Sequence, residues 1–362
     1  GIYEDGHPYN GVIANINIHQ RKWEFLVASV KDRPAKVTSF VMKYEKELKN
    51  NIPIAWNGGY ILNPELVGKL GIKESFIGSP LGLIISDGKM LSPPLFNKAA
   101  LLIYNDGHLD IKRVSVNDGL SLKIHNRTFT PGKNKYNLQI PTGDVCFYDL
   151  LYNEEFILNN RRIAVILAGN VVKDIIKGSE ISKVEMIPVG LTLSFSEESF
   201  PEKLKVGDEI EIIKNEFKEI KHAVEAGPML LDGGNKCIDM HREGWKHPNS
   251  IRTQAARLDY TDMRGPKIAA GIDNKGNLTV LAVNGRIRES VGATHDNMAE
   301  ILKEKGIIKA MGFDPGGSST LVVDGEARNI SPYNQNYEQN IYSQPPEPRA
   351  VSNTIMGYLK EE

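Results

Sequence analysis

Ile307-Ile308-Lys309-Ala310-Met311-Gly312-Phe313-Asp314-Pro315-Gly316-Gly317-Ser318-Ser319-Thr320-Leu321-Val322-Val323 reads as strand, tight loop, strand. A carboxylate leaves an apolar strand directly into Pro-Gly-Gly, and three hydroxyls follow. Successive N–H groups in such a loop can form a nest for an anion. The loop lacks the lysine of a nucleotide-binding P-loop. It also lacks the glycine spacing of a nucleophile elbow, which makes Ser318 a poor hydrolase nucleophile. Just upstream, Thr294 caps a helix running through Lys305, with Met298, Ile301 and Leu302 inward and Gly306 as its stop. Before that, Lys267–Gly271 and Leu278–Val283 form a hairpin.

Working outward, the same vocabulary recurs. Val12, Ala14, Ile16 and Ile18 alternate with polar residues as a strand, and Trp23–Val30 is the expected hairpin partner. Val37, Phe40, Val41, Tyr44 and Leu48 make a helical stripe. A buried strand over Ile52–Trp56 runs into Asn57-Gly58-Gly59-Tyr60. Asp87-Gly88 and Asn105-Asp106-Gly107 each sit between short strands as hairpin turns. Val206–Ile212 reads as a turn entering a strand, and Ala223–Leu231 as a strand interrupted by Gly227-Pro228. Met240–Asn249 and Tyr333–Pro348 read as loops, and Val351–Leu359 as the last strand. Strands outnumber helices and do not alternate with them regularly. The fold class is α+β, with mixed, largely antiparallel sheets and a few packed helices.

The chain has 362 residues and a formal net charge of −1, so it has no global basic field to attract nucleic acid or a membrane surface. No apolar run approaches the roughly 20 residues of a membrane span. The opening Gly1-Ile2-Tyr3-Glu4-Asp5 is not a signal peptide. Cys146 and Cys237 are the only cysteines. They allow one bridge, but two buried free thiols are expected. His241 and His247, with Glu243 between them, make a weak metal motif, so no metal or other cofactor is expected. A divalent cation held by Asp314 or Asp232 together with substrate phosphate is the alternative.

Several segments carry groups suited to chemistry. Asn57, Gly58 and Gly59 offer an amide and accessible backbone N–H groups, or simply a tight turn. Glu225 interrupts an apolar run. Facing inward, its pKa would rise and suit acid/base work; facing outward, it is the polar half of a strand. Arg252 and Thr253 supply a planar cation and a hydroxyl that match phosphate oxygens, or a surface ion pair. Arg286 follows a strand and an Asn-Gly turn. Asp314, Gly316, Gly317, Ser318 and Ser319 form the loop quoted first. Glu347-Pro348-Arg349-Ala350-Val351-Ser352-Asn353 leads into the last strand.

In this order, over about residues 12–358, these segments resemble the phosphodiester glycosidase family, which includes N-acetylglucosamine-1-phosphodiester alpha-N-acetylglucosaminidase. The matching segments are Asn57–Tyr60, Gly82–Lys89, Ile187–Gly190, Val206–Ile212, Ala226–Leu231, Arg252-Thr253, Gly285-Arg286, Asp314–Ser319 and Arg349…Asn353. Pro315 departs from the usual glycine and removes an N–H. Asn284 stands where an aspartate is common. The small-residue run expected after Arg-Thr is replaced by Gln254-Ala255-Ala256-Arg257.

The resemblance implies a single catalytic domain over 1–362, with a sheet-rich part over about 1–220 and a motif-bearing part over about 221–362. It implies hydrolysis of a glycosyl-1-phosphodiester to sugar and phosphomonoester. Asp314, Glu225, Arg252 and Arg286 are the implied catalytic residues. Asn57, Gly58, Gly59, Thr253, Gly316, Gly317, Ser318, Ser319, Arg349 and Asn353 are the implied substrate-binding residues. The implied partner is a glycosyl-phosphate or phosphoglycan such as an exopolysaccharide, met in a secreted or cell-envelope setting. A non-catalytic phosphoglycan-binding module and a P–O-cleaving phosphodiesterase are the competing readings.

Overall fold

The computed structural model describes residues 1–362 except 21, 31–32, 117–118, 180–181, 254–261, 333–347 and 361–362. Most of the loop expected over Tyr333–Pro348, and the run Gln254-Ala255-Ala256-Arg257, lie outside the described residues. Every strand pairing among named strands is antiparallel. The α+β class, strand-rich with few helices, therefore holds.

Two sheets position the site. One is six-stranded: Gly11–Ile16, Leu278–Val283, Lys267–Asp273, Ile307–Gly312, Met229–Asp232 and Asn235–Lys236, in that spatial order. The other is five-stranded: Trp23–Ser29, Asn353–Leu359, Ile54–Asn57, Leu321–Val323 and Glu326–Ala327. The period of two decides what each face meets. Ala270, Val280, Ala282 and Met311 face an inner core shared with Phe25, Val27, Trp56 and Ile355 of the second sheet. Their neighbours Ala269, Leu281, Val283 and Ala310 face outward onto Met298, Ala299 and Leu302 of a helix, His295–Glu304. On the far side of the second sheet, Leu26, Ala28, Ala55 and Met356 pack on Val37, Phe40 and Val41 of the helix Val37–Leu48. At the centre, Trp56 and Phe313 meet edge to face with ring centroids 6.1 Å apart.

An eight-stranded sheet closes the side of this sandwich through Leu101, Ile103 and Val224. Its other face packs on a four-stranded sheet through Leu83, Leu102, Val165 and Phe195. The strand Ile220–Glu225 lies between Ala99–Tyr104 and Ile84–Ser86 inside the eight-stranded sheet.

The hairpin expected between the first two strands does not form. Gly11–Ile16 pairs with Leu278–Val283, and Trp23–Ser29 pairs with Asn353–Leu359. The reason is burial: Phe25, Leu26, Val27 and Ala28 are all inside, so both faces of the second strand need cover. Only a place between the inner core and the first helix supplies it. Both cysteines are free, as expected, but Cys237 is half-buried rather than buried.

Candidate active site

The segment Asp314–Thr320 carries the chain from the six-stranded sheet to the five-stranded one, and neighbouring strand ends fix its shape. The Asp314 N–H donates to Gly58 O at 3.1 Å. Asn57 Nδ2 donates to Asp314 O at 2.9 Å, and Asn57 Oδ1 accepts from Thr320 N at 2.9 Å. Asn57 thus staples both ends of the loop from a fully buried position. Asn353 Oδ1 accepts from Gly59 N at 2.7 Å, and Asn353 O accepts from Gly58 N at 3.0 Å. A Cβ at Gly58 would run into Asn353 Oδ1, and one at Gly59 into Glu225 O, so both glycines are required by close approach.

The side chains gathered here have unusual electrostatics. Burial lifts the Asp314 carboxyl to about 6, against the pull of the Arg349 guanidinium and the Ser318 hydroxyl. Arg349 is tethered by its own N–H to Gly317 O at 3.3 Å. Arg286 has positive φ (59°), and its Nη2 lies 3.3 Å from where a side chain on Gly316 would start. Its Nη1 donates to Pro332 O at 3.0 Å. The Ser318 and Ser319 hydroxyls are both buried, and that of Ser319 has no hydrogen-bond partner among the described residues. The same is true of Asn353 Nδ2.

Two further residues join them that the sequence reading passed over. Lys267, 4% exposed, opens its strand, and its Nζ donates to Met263 O at 3.2 Å. Burial, and secondarily the Arg286 charge, bring its pKa down to about 7. His295, the first residue of its helix, has Nε2 3.2 Å from where a side chain on Gly312 would start. Burial, helped by the Lys267 charge, holds it well below the usual histidine range and therefore neutral. The available signal was a lysine directly after Gly-Pro at the head of the apolar run Ile268-Ala269-Ala270.

Glu225 does point inward, 1% exposed, but toward a neighbouring network. Its Oε2 accepts from Leu83 N at 2.7 Å and Leu95 N at 3.0 Å. Burial pushes its pKa up and that of the nearby Lys98 down, while their mutual attraction opposes both shifts. Lys98 Nζ lies 3.9 Å from the Trp245 ring centroid. Behind it, Glu243 accepts from Arg113 Nε at 2.9 Å, Met229 N at 2.9 Å and Trp245 Nε1 at 2.8 Å.

Arg252 is not among the groups that described contacts bring to Asp314. It ends the short helix Pro248–Thr253. Its Nη1 donates to Met186 O at 3.0 Å, and its Nη2 pairs with Glu185. Thr253 Oγ1 donates within the same helix to Ser250 O at 2.9 Å. Two open clefts of about 590 and 720 Å³ have walls elsewhere, the first including Tyr152, Lys183 and Glu185 and the second Lys89 and Glu209. Neither wall includes a residue of the Asp314 loop. Among the described residues no group of three or more His, Cys, Asp or Glu side chains is placed to hold a metal. No helix among them is long and apolar enough to cross a membrane.

The structure is thus a multi-sheet antiparallel protein in which a carboxylate, two arginines and a lysine lie at or beside strand ends, the carboxylate buried. The chain belongs to the phosphodiester glycosidase family, whose model matches residues 161–356. No curated protein sequence matches it. Similar solved structures include a hypothetical protein from Synechocystis (16% identity, TM-score 0.55, 98% of this chain and 62% of that one). A Burkholderia pseudomallei protein described as exported is similar at 16% identity, with TM-score 0.57 over 98% and 74% of the two chains. The catalytic domain of zebrafish N-acetylglucosamine-1-phosphodiester alpha-N-acetylglucosaminidase, auto-inhibited by its pro-peptide, is similar at 15% identity, with TM-score 0.50 over 98% and 78%. The chain thus spans under two thirds of the Synechocystis protein's length. At these identities the likeness is one of fold.

Proposed function

We propose that the chain hydrolyses a glycosyl-1-phosphodiester, breaking the bond between the anomeric carbon and the phosphate oxygen. The observation that carries this reading is that Asp314, Arg349 beside Gly317 and Arg286 beside Gly316 belong to or border one loop that also buries the Ser318 and Ser319 hydroxyls. Water adds to the anomeric carbon and gives its proton to the Asp314 carboxylate. The C–O bond breaks, and the phosphomonoester leaves with the electron pair. The cation-like sugar transition state is stabilised by that carboxylate. The leaving group has a second pKa near 6, so it needs charge stabilisation more than a proton. Arg286 and Arg349 supply it as planar donors. Asn57 and Asn353 act as positioning residues, since their amides hold the loop.

Family membership supports the class of reaction. A setting outside the cytoplasm, among glycosyl-phosphate polymers, fits the exported Burkholderia neighbour. The test is turnover of a panel of sugar-1-phosphodiesters in isotope-labelled water. Label in the sugar is expected. Label in the phosphate means P–O cleavage, and tight binding without product means a phosphoglycan-binding module. Asp314→Asn should lower kcat by about 10²–10⁴. Turnover is expected to persist in excess chelator, and its loss would bring in a divalent cation.

A further inference from the structure

We propose that Lys267 is a further phosphate-binding residue of this site, acting with Arg286 on the same anion and responsible for selecting anionic over neutral glycosides. This rests on the phosphodiester reading above. The geometry comes from strand register. Ala269 pairs with Gly312, the Phe313 N–H donates to Ile268 O at 3.0 Å, and the Gly316 N–H donates to Pro266 O at 2.9 Å. Lys267 therefore lies across the ladder from Asp314 and Pro315. Its Nζ and the Arg286 Nε each come within 3.9 Å of the point where a side chain on Gly265 would begin.

The charged or titratable groups that act on or are acted on by Lys267 are Arg286, from the loop after Leu278–Val283, and His295, from the helix His295–Glu304. Two cations held this close, with little solvent to screen them, raise each other's cost. A phosphate monoanion between them removes it. The buried Ser318 and Ser319 hydroxyls provide donors in the same loop. The departing phosphomonoester gains negative charge as the C–O bond breaks. A second cation therefore matters more in the transition state than in the ground state.

Burial and Arg286 set Lys267 near 7, so the enzyme without substrate should lose this ammonium, and with it kcat/KM, as pH rises through about 7. Lys267→Met should lower kcat/KM on a sugar-1-phosphodiester by about 10²–10³-fold. Lys267→Arg should keep activity within about tenfold and move the high-pH limb upward, because a guanidinium stays charged. Inorganic phosphate should raise the melting temperature of wild type but not of Lys267→Met.

A Lys267→Met enzyme within about threefold of wild type, with an equal phosphate-induced melting shift, overturns the inference. So does an unmoved high-pH limb in Lys267→Arg, which decides the matter if the methionine variant fails to fold. If wild type turns over no phosphodiester yet phosphate still protects it through Lys267, the anion site stands and the glycosidase reading fails.

Discussion

Asn284 uses both ends of its amide. Nδ2 donates to Asn10 Oδ1 at 2.6 Å, and Oδ1 accepts from Ile330 N at 2.6 Å. A carboxylate can accept but not donate, which explains an amide where the family commonly has aspartate. Asn284→Asp would set its oxygen against that of Asn10 and should cost about 1 kcal/mol; an unchanged urea midpoint would contradict this. Pro315 is equally at home. Its φ of −88° suits a pyrrolidine ring, and the neighbouring Gly316 supplies the N–H that reaches Pro266. Single residues were legible from sequence where chemistry was unusual, as at Asp314. Lys267 was not, because it reads as the polar first residue of a strand. Only the strand pairing places it beside Arg286.

Among elements, the helix His295–Glu304 was the plainest to read. Thr294 Oγ1 accepts from Asn297 N at 3.0 Å, and Asn297 Oδ1 accepts from Thr294 N at 3.1 Å, a reciprocal cap. Thr294→Ala should lower stability by about 1 kcal/mol, and a chemical-denaturation curve overlying wild type would refute it. Its apolar residues Met298, Ala299 and Leu302 fall on one face of a ten-residue helix, enough for the spacing to show. The helix Pro248–Thr253 has six residues, too few for any period, and went unseen. The partner that engages Arg252, Glu185, lies 67 positions away. No local pattern could reveal that this arginine is already spoken for. The helix Pro64–Leu70 did carry signals, Asn63 as its cap and Gly71 as its stop, but in a stretch dominated by strand cues.

For the molecule as a whole, the site opposes stability. Asp314 has a folded pKa of about 6 against an ordinary value of 3.8. A group raised on folding contributes stability below its unfolded pKa, and that contribution is lost as pH rises through the folded one. Asp314→Asn should therefore melt above wild type at pH 7.5, by up to about 3 kcal/mol, with the gap shrinking toward pH 4. Parallel melting curves at both pH values would count against a buried, ionised Asp314. The sheet content was legible because alternation is local. The sheet order was not, because it depends on pairings between opposite ends of the chain.

Those pairings govern when the fold can be completed. The first ten residues lie along the segment that carries Arg286: Tyr3 Oη donates to Gly292 O at 2.9 Å, Val291 N to Pro8 O at 3.0 Å, and Asn284 N to Asn10 O at 2.9 Å. Trp23–Ser29 waits in turn for Asn353–Leu359. During synthesis the strand Trp23–Ser29 must remain without this neighbour until residues 353–359 have been made, a long exposure for sticky edges. The Asp314 loop, held through Asn57, Gly58 and Asn353, is assembled only once that strand is in place, and chaperone protection of the early strands should matter more to yield than any single contact in the folded chain.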